Sequence, residues 1–396
     1  MTDTNKLISA ELRRSVEQNL RRDPLAVALD TRIVDAALVA SQVKYLGRAE
    51  SKLPSYFAAR CAIPARAFEQ SSSEATAARK RYSGALCIDL TCGLGVDSLH
   101  LSRGFERVIA IERDPDLAVI ARENFRRLGA ANIEVVNSSA EEFLASFSGA
   151  ADLVYADPDR RDSTGRKMVR LEDCSPDILA LMPVIQQVAP RLVVKLSPMF
   201  DVDEAMRLFG PHVRVEVVSL GGECKEVVVE VASDIPQPTI CAVAIGVGEV
   251  EQSIVNQVIH TAEDFRPETY RWLVVPDVAL QKARLARTYF AERGLWIASA
   301  NGYAFATEQP VDIMGKVLEI ADIEPFDPKT LRRRLKTEGI KSLDIMRRDF
   351  PLSSTDIARS LGVREGGSHT IAFTRTPDTT STSTSTLNRL WQITVR

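Results

Sequence analysis

Residues 152 to 162, DLVYADPDRRD, end an apolar run in Asp157-Pro158-Asp159 and follow it with Arg160 and Arg161. A carboxylate at a strand end can accept hydrogen bonds from a substrate, and the proline after it fixes φ at about −65° and stiffens the loop. Two guanidinium groups beside it can clamp a phosphate or lie flat against a base. They can equally pair with Asp159 and Asp162. A second stretch with chemistry is Asp89-Leu90-Thr91-Cys92-Gly93-Leu94-Gly95-Val96-Asp97. Gly-x-Gly between a strand and a helix lets a ligand approach the backbone closely.

The surrounding acids narrow the ligand. Asp89, Asp97, Glu112 and Asp157 are all expected at the carboxyl ends of central strands. A dinucleotide pyrophosphate would meet like charge there, at ~1 to 4 kcal/mol for each approach to about 4 Å. S-adenosylmethionine carries a sulfonium and an ammonium in place of phosphates, and acids suit it. Glu112 lies 23 residues after Asp89 (112 − 89), a spacing that fits a carboxylate accepting both ribose hydroxyls. Asp97 can act there or stabilise a helix N-terminus, and Glu112 can instead be a solvated strand-end acid.

The elements that must hold these residues follow from periodicity. Residues 1–80 carry apolar residues three and four apart and read as a helical region. From ALCIDL onward, short runs (RVIAIE, IEVVN, DLVYAD, RLVVKLS) alternate with helical segments such as DPDLAVIARENFRRLG. That alternation predicts a doubly wound parallel sheet over 81–235. VRVEVVSL-GGEC-KEVVVEVA closes it as an antiparallel hairpin at the sheet edge. SDIPQPT reads as a linker, opening 236–320 as a linker with a small ferredoxin-like α+β segment. FDPKTLRRRLKTEG is a punctuated helix, with Asp327 as N-cap, Pro328 in the first turn and Gly339 at the end. It opens a strand-helix-strand module over 321–376, followed by a Ser/Thr-rich tail over 377–396 in which LNRLWQITVR can add a last strand.

Composition bounds the rest. The chain has 396 residues, 45% of them hydrophobic, which is enough for several cores. A formal net charge of −3 gives no global polyanion signal, so a nucleic-acid surface must be local. No apolar run approaches the ~20 residues of a membrane helix, and the N-terminus lacks a signal-peptide core, so a cytoplasmic protein without membrane contact is expected. The six cysteines form no C-x-x-C pair and the four histidines are dispersed, which speaks for reduced thiols and against a metal site. One local excess does exist. Lys329, Arg332, Arg333, Arg334, Lys336, Lys341, Arg347 and Arg348 face only Glu338 and Asp344. That is a phosphate-backbone footprint or a solvated helix face.

The glycine loop, DPDRR, VVKLSP and GGECKEVVVE, with FEQSSSEATAARK upstream and LRRRLK…FPLSSTDIARSLGV downstream, resemble the bacterial class I S-adenosylmethionine-dependent methyltransferases with a THUMP-like C-terminal domain. The resemblance spans roughly residues 40 to 375. It implies a Rossmann-like, seven-stranded methyltransferase sheet, methyl transfer, and RNA (tRNA or rRNA) as partner, since THUMP-type domains accompany RNA modification. It also tilts Glu223 and Lys225, on the GGECKE turn, from a solvated turn towards a substrate-binding role. Two departures stand out. One is Asp159, where the resemblance implies a small residue, in a stretch Asp157-Pro158-Asp159 that also lacks the aromatic ring that enzymes methylating base amines often carry there. An acid often follows the third strand to accept from the adenine amine, and here Ser139 stands in that place.

The sequence reading is therefore methyl transfer with the donor at Asp89, Gly93, Gly95, Asp97, Glu112, Ser139 and Asp157. Asp157, Pro158 and Arg160 flank the transferred methyl, and Arg161, Glu223, Lys225, Arg332, Arg333 and Lys336 hold the acceptor. Its competitors are a non-catalytic RNA-binding protein on the same fold, a methyltransferase acting on a small molecule or protein, and a nicotinamide-dependent oxidoreductase.

Overall fold

The structure, a computed structural model, describes residues 3–159, 171–254, 265–297, 299, 301–377 and 388–396. The chain forms two compact units, residues 1–214 with 227–236, and residues 215–226 with 237–396.

In the first unit the strands are β1 (Gly84–Asp89), β2 (Phe105–Glu112), β3 (Ile133–Asn137), β4 (Leu153–Ala156) and β5 (Arg191–Leu196), all parallel. After β6 (Val213–Leu220) comes β7 (Glu223–Ala232), which pairs antiparallel with β5, Leu196 opposite Val227. The order β3-β2-β1-β4-β5-β7 reverses direction between β1 and β4. Ligands of open α/β sheets bind at such a reversal, outside the carboxyl ends of the strands.

The N-terminal helices do not form a core of their own. Val39, Leu46, Tyr56 and Phe68 share one apolar cluster with Leu94 and Val96 of the glycine loop and with Ile120 and Phe125 of helix Pro115–Leu128. The boundary expected at residues 80 and 81 therefore runs through a single core. Asn124 seals it, exchanging hydrogen bonds of 2.8 and 2.9 Å with the backbone of Ala62.

The β6–β7 hairpin carries the chain between the units. Gly221 and Gly222 both have positive φ, 62° and 80°, as a two-residue turn of this hand requires. Within the second unit, β8 (Thr239–Ala244) and β9 (Gly248–Ser253) follow β6, so the hairpin is not the sheet's edge as expected. A separate seven-stranded sheet contains β10 (Trp272–Pro276), β11 (Trp296–Ile297), β12 (Ala304–Ala306), β13 (Gly315–Pro325), β14 (Ser342–Arg347), β15 (Arg364–Pro377) and β16 (Asn388–Val395). Its order is β11-β12-β10-β13-β16-β15-β14.

Two expected boundaries change here. The break at 320 and 321 falls inside β13, and residues 388–395, expected in a tail, lie between β13 and β15 with Ile393 fully buried. The predicted segments 236–320 and 321–376 thus share one sheet in place of a separate ferredoxin-like piece. Among the described residues, no helix is long and apolar enough to cross a membrane.

Candidate active site

The glycine loop is built around two acids. Gly93 and Gly95 have φ of 55° and 88°, and a Cβ on Gly95 would strike the Phe125 ring, so only glycine fits there. Glu112, at the end of β2, accepts from the Gly93 backbone N–H at 2.8 Å and the Asp114 N–H at 2.9 Å, one on each oxygen. Asp89, at the end of β1, is 1% exposed and accepts from the Thr91 N–H at 2.9 Å and the Ser98 hydroxyl. Burial pushes the Asp89 pKa up to about 7, with the charges of Asp97 and Asp157 adding to it and the Ser98 and Thr91 bonds opposing it.

Thr91 joins this loop to the strand-end acid. Its hydroxyl donates to Asp89 at 3.3 Å and accepts the Asp157 backbone N–H at 2.6 Å. The Asp157 carboxylate, 32% exposed, pairs with Lys195 Nζ at 2.6 Å. The pairing follows from register: Ala156 lies opposite Val194, so the next residue on each strand emerges side by side. Pro158 behind Asp157 is buried.

A second ion pair backs the first. Asp97, in helix Val96–Leu101, takes Lys80 Nζ at 2.9 Å and the Ser72 hydroxyl at 2.8 Å. Burial would raise its pKa, but Lys80, Lys195 and Ser72 hold it below the usual carboxylate value. Lys80 also lies 5.9 Å from the Tyr155 ring centre, beneath the end of β4. Lys80, Lys195, Ser72 and Thr91 were not singled out from sequence. The available signals were a lysine ending β5 within VVKLSP and a Ser/Thr-rich stretch just before β1.

Asp159, two residues on, exchanges backbone hydrogen bonds of 2.9 and 3.0 Å with Ser175. Its carboxylate lies 3.4 Å from Gln70 Nε2 and 3.7 Å from Arg66 Nη2. Arg160, Arg161 and Asp162 lie outside the described residues. Ser139 caps helix Ala140–Ser146 in a reciprocal box with Glu142, so its hydroxyl already accepts a backbone N–H at 3.2 Å. Among the described residues, no cluster of His, Cys, Asp and Glu could hold a metal.

The remaining expected residues belong to the second unit. Glu223 and Lys225 pair with each other at 2.5 Å on the hairpin turn, and burial raises the Cys224 pKa, opposite to what a thiolate nucleophile needs. Helix Pro328–Thr337 buries Leu331 and Leu335 and leaves Arg332, Arg333 and Lys336 exposed. Arg334 instead turns back to pair with Glu324 at 2.6 Å.

Residues 315–384 match the family described as THUMP domain-like, and residues 72–171 match conserved hypothetical protein 95. An uncharacterized S-adenosylmethionine-dependent methyltransferase of Mycobacterium tuberculosis is 26% identical over 304 residues, 75% of this chain and 79% of that protein. The ribosomal RNA small subunit methyltransferase J of Coxiella burnetii is 28% identical over 125 residues, 27% of this chain and 48% of that enzyme. A crystal structure from Porphyromonas gingivalis, of a protein proposed to be a methyltransferase, superimposes with a TM-score of 0.82 at 23% identity. It covers 100% of this chain and 99% of that one. The chain thus has the class I methyltransferase fold with a THUMP-like C-terminal part, as the resemblance implied.

Proposed function

We propose that this relative of the S-adenosylmethionine-dependent methyltransferases transfers the donor's methyl group to RNA. The observation that carries the reading is the hydrogen-bonded run from Asp89 through Thr91 to Asp157, ion-paired with Lys195, at the reversal between β1 and β4. It ties the loop that would hold a donor to the acid that would face an acceptor.

The residues fit S-adenosylmethionine. Each Glu112 oxygen takes one backbone N–H and keeps lone-pair capacity for a ribose hydroxyl. Glu112 and the strand-end acids about it suit the donor's cationic groups, with Asp97 and Asp157 already partnered by Lys80 and Lys195. Bound, the donor supplies an electrophilic methyl group. Asp157 orients the acceptor, and Lys195 holds Asp157 in place. Proline and ion pair together keep this wall rigid, which matters because transfer needs the reacting atoms ~3 to 3.5 Å apart.

RNA as acceptor rests on the THUMP-like segment, on the exposed basic helix Pro328–Thr337, and on the ribosomal RNA relative. Ribosomal RNA is the first substrate to test and tRNA the second, and a cytoplasmic protein is the expectation that goes with either. Mass spectrometry of nucleosides from wild-type and deletion strains checks the reading. One methylated nucleoside absent from the deletion strain's RNA is expected, and identical profiles would count against it.

A further inference from the structure

We infer that the N-terminal helices carry the surface that holds the phosphate backbone of the acceptor RNA beside the Asp157–Asp159 turn. This rests on the RNA reading above and adds where the strand lies. Helix Ala36–Lys52 sets Lys44, Arg48 and Lys52 four residues apart, hence on one face over ~12 Å. Aromatic rings position these cations. Lys44 Nζ lies 5.4 Å from the Tyr45 ring centre, and Lys52 Nζ lies 4.7 Å from that of Phe68. The Arg48 guanidinium sits 5.6 Å from Tyr45 and 4.9 Å from Phe68.

A ring attracts a cation through its quadrupole but cancels none of its charge. Glu69 stands among the three and pairs with Arg48. Its pKa is lowered first by that bond and further by Lys52 and Lys44, so three positive charges gather about Glu69. Phe68 is buried and Tyr45 half-buried. The rings therefore fix the cations and leave little face for bases to stack on. Such a patch grips phosphates and reads no sequence.

Helix Ala65–Gln70 connects the patch to the site. Phe68 lies under Arg48 and Lys52, while Arg66 and Gln70 of the same helix reach Asp159 at 3.7 and 3.4 Å. Asp159 is two residues from Asp157. A strand gripped along Lys44, Arg48 and Lys52 would thus be led by Arg66 to the acid that faces the acceptor.

The test uses the full chain and a single-stranded oligouridylate, with binding followed by fluorescence anisotropy across a potassium chloride series. Lys44→Glu with Arg48→Glu should weaken binding at least tenfold and lower the log–log salt slope by about 1.4, at ~0.7 per phosphate contact. Lys44→Gln with Arg48→Gln should weaken it in the same direction without introducing negative charge. S-adenosylmethionine binding should stay within about twofold in both. Wild-type RNA affinity and slope in either double variant, with donor binding intact, overturn this surface and leave the RNA reading standing. A wild-type chain with no salt-dependent affinity for the oligouridylate overturns the RNA reading and the surface with it.

Discussion

At the scale of single residues, the site is a set of acids with assigned loads. Glu112→Ala should weaken S-adenosylmethionine binding at least tenfold by calorimetry, about 1.4 kcal/mol, as befits a charged hydrogen-bond acceptor. Asp157→Ala should abolish methyl transfer while leaving donor affinity within about threefold, and Lys195→Met should lower the rate at least tenfold by releasing Asp157. Asp89 gives a pH signature. Its folded pKa of about 7 lies above the ordinary carboxylate value of 3.8, so the folded state holds its proton where the unfolded state has lost it. Stability from this group is therefore present in acid and declines as pH rises from about 4 to about 7. Urea unfolding of Asp89→Asn should show a smaller loss between pH 5 and pH 8 than the parent does. Asp97 does not blur the comparison, because with its lowered pKa it is ionised in both states over that range. The four acids were legible in the sequence because strand ends and glycine spacing announce them. Lys195 was not, since only the β4–β5 register places it beside Asp157.

At the scale of elements, local rules predicted what local physics decides. Helix Pro328–Thr337 begins where Asp327 accepts the Lys329 N–H at 3.0 Å, and Gly339 after it has φ 70°, as the D-P…G punctuation implied. The β-branched runs and the Gly-Gly turn gave the β6–β7 hairpin directly. The place of β16 was not legible, because its pairing with β13 and β15 is long-range and a Ser/Thr run precedes it. Ser139 shows the same limit. Its position suggested an adenine contact, while the capping box with Glu142 needs the Ser-x-x-Glu spacing for a different reason. Ser139→Ala should cost about 1 kcal/mol in urea unfolding. On the basic helix, Arg332→Glu with Lys336→Glu should lower RNA affinity tenfold or more and flatten its salt dependence, with donor binding unaltered. Unchanged affinity would make this a solvated helix face.

At the scale of the whole molecule, the alternation of strands and helices implied the fold class but not the division of the chain. Amphipathic helices at the N-terminus look the same whether they form a separate domain or complete another's core, and here Tyr56 and Phe68 complete the core beneath the glycine loop. That sharing brings Ser72 and Lys80 to Asp97, and Gln70 and Arg66 to Asp159. The N-terminal helices thus supply side chains that contact Asp97 and Asp159, and RNA-directed methyl transfer is the function proposed for the protein. Its most direct test incubates the purified chain with isotope-labelled S-adenosylmethionine and RNA from a deletion strain, followed by nucleoside mass spectrometry. The account predicts label in one methylated nucleoside with the wild-type chain and none with Asp157→Ala. Donor binding without label in any RNA, or tight binding of a nicotinamide dinucleotide in place of S-adenosylmethionine, would contradict it.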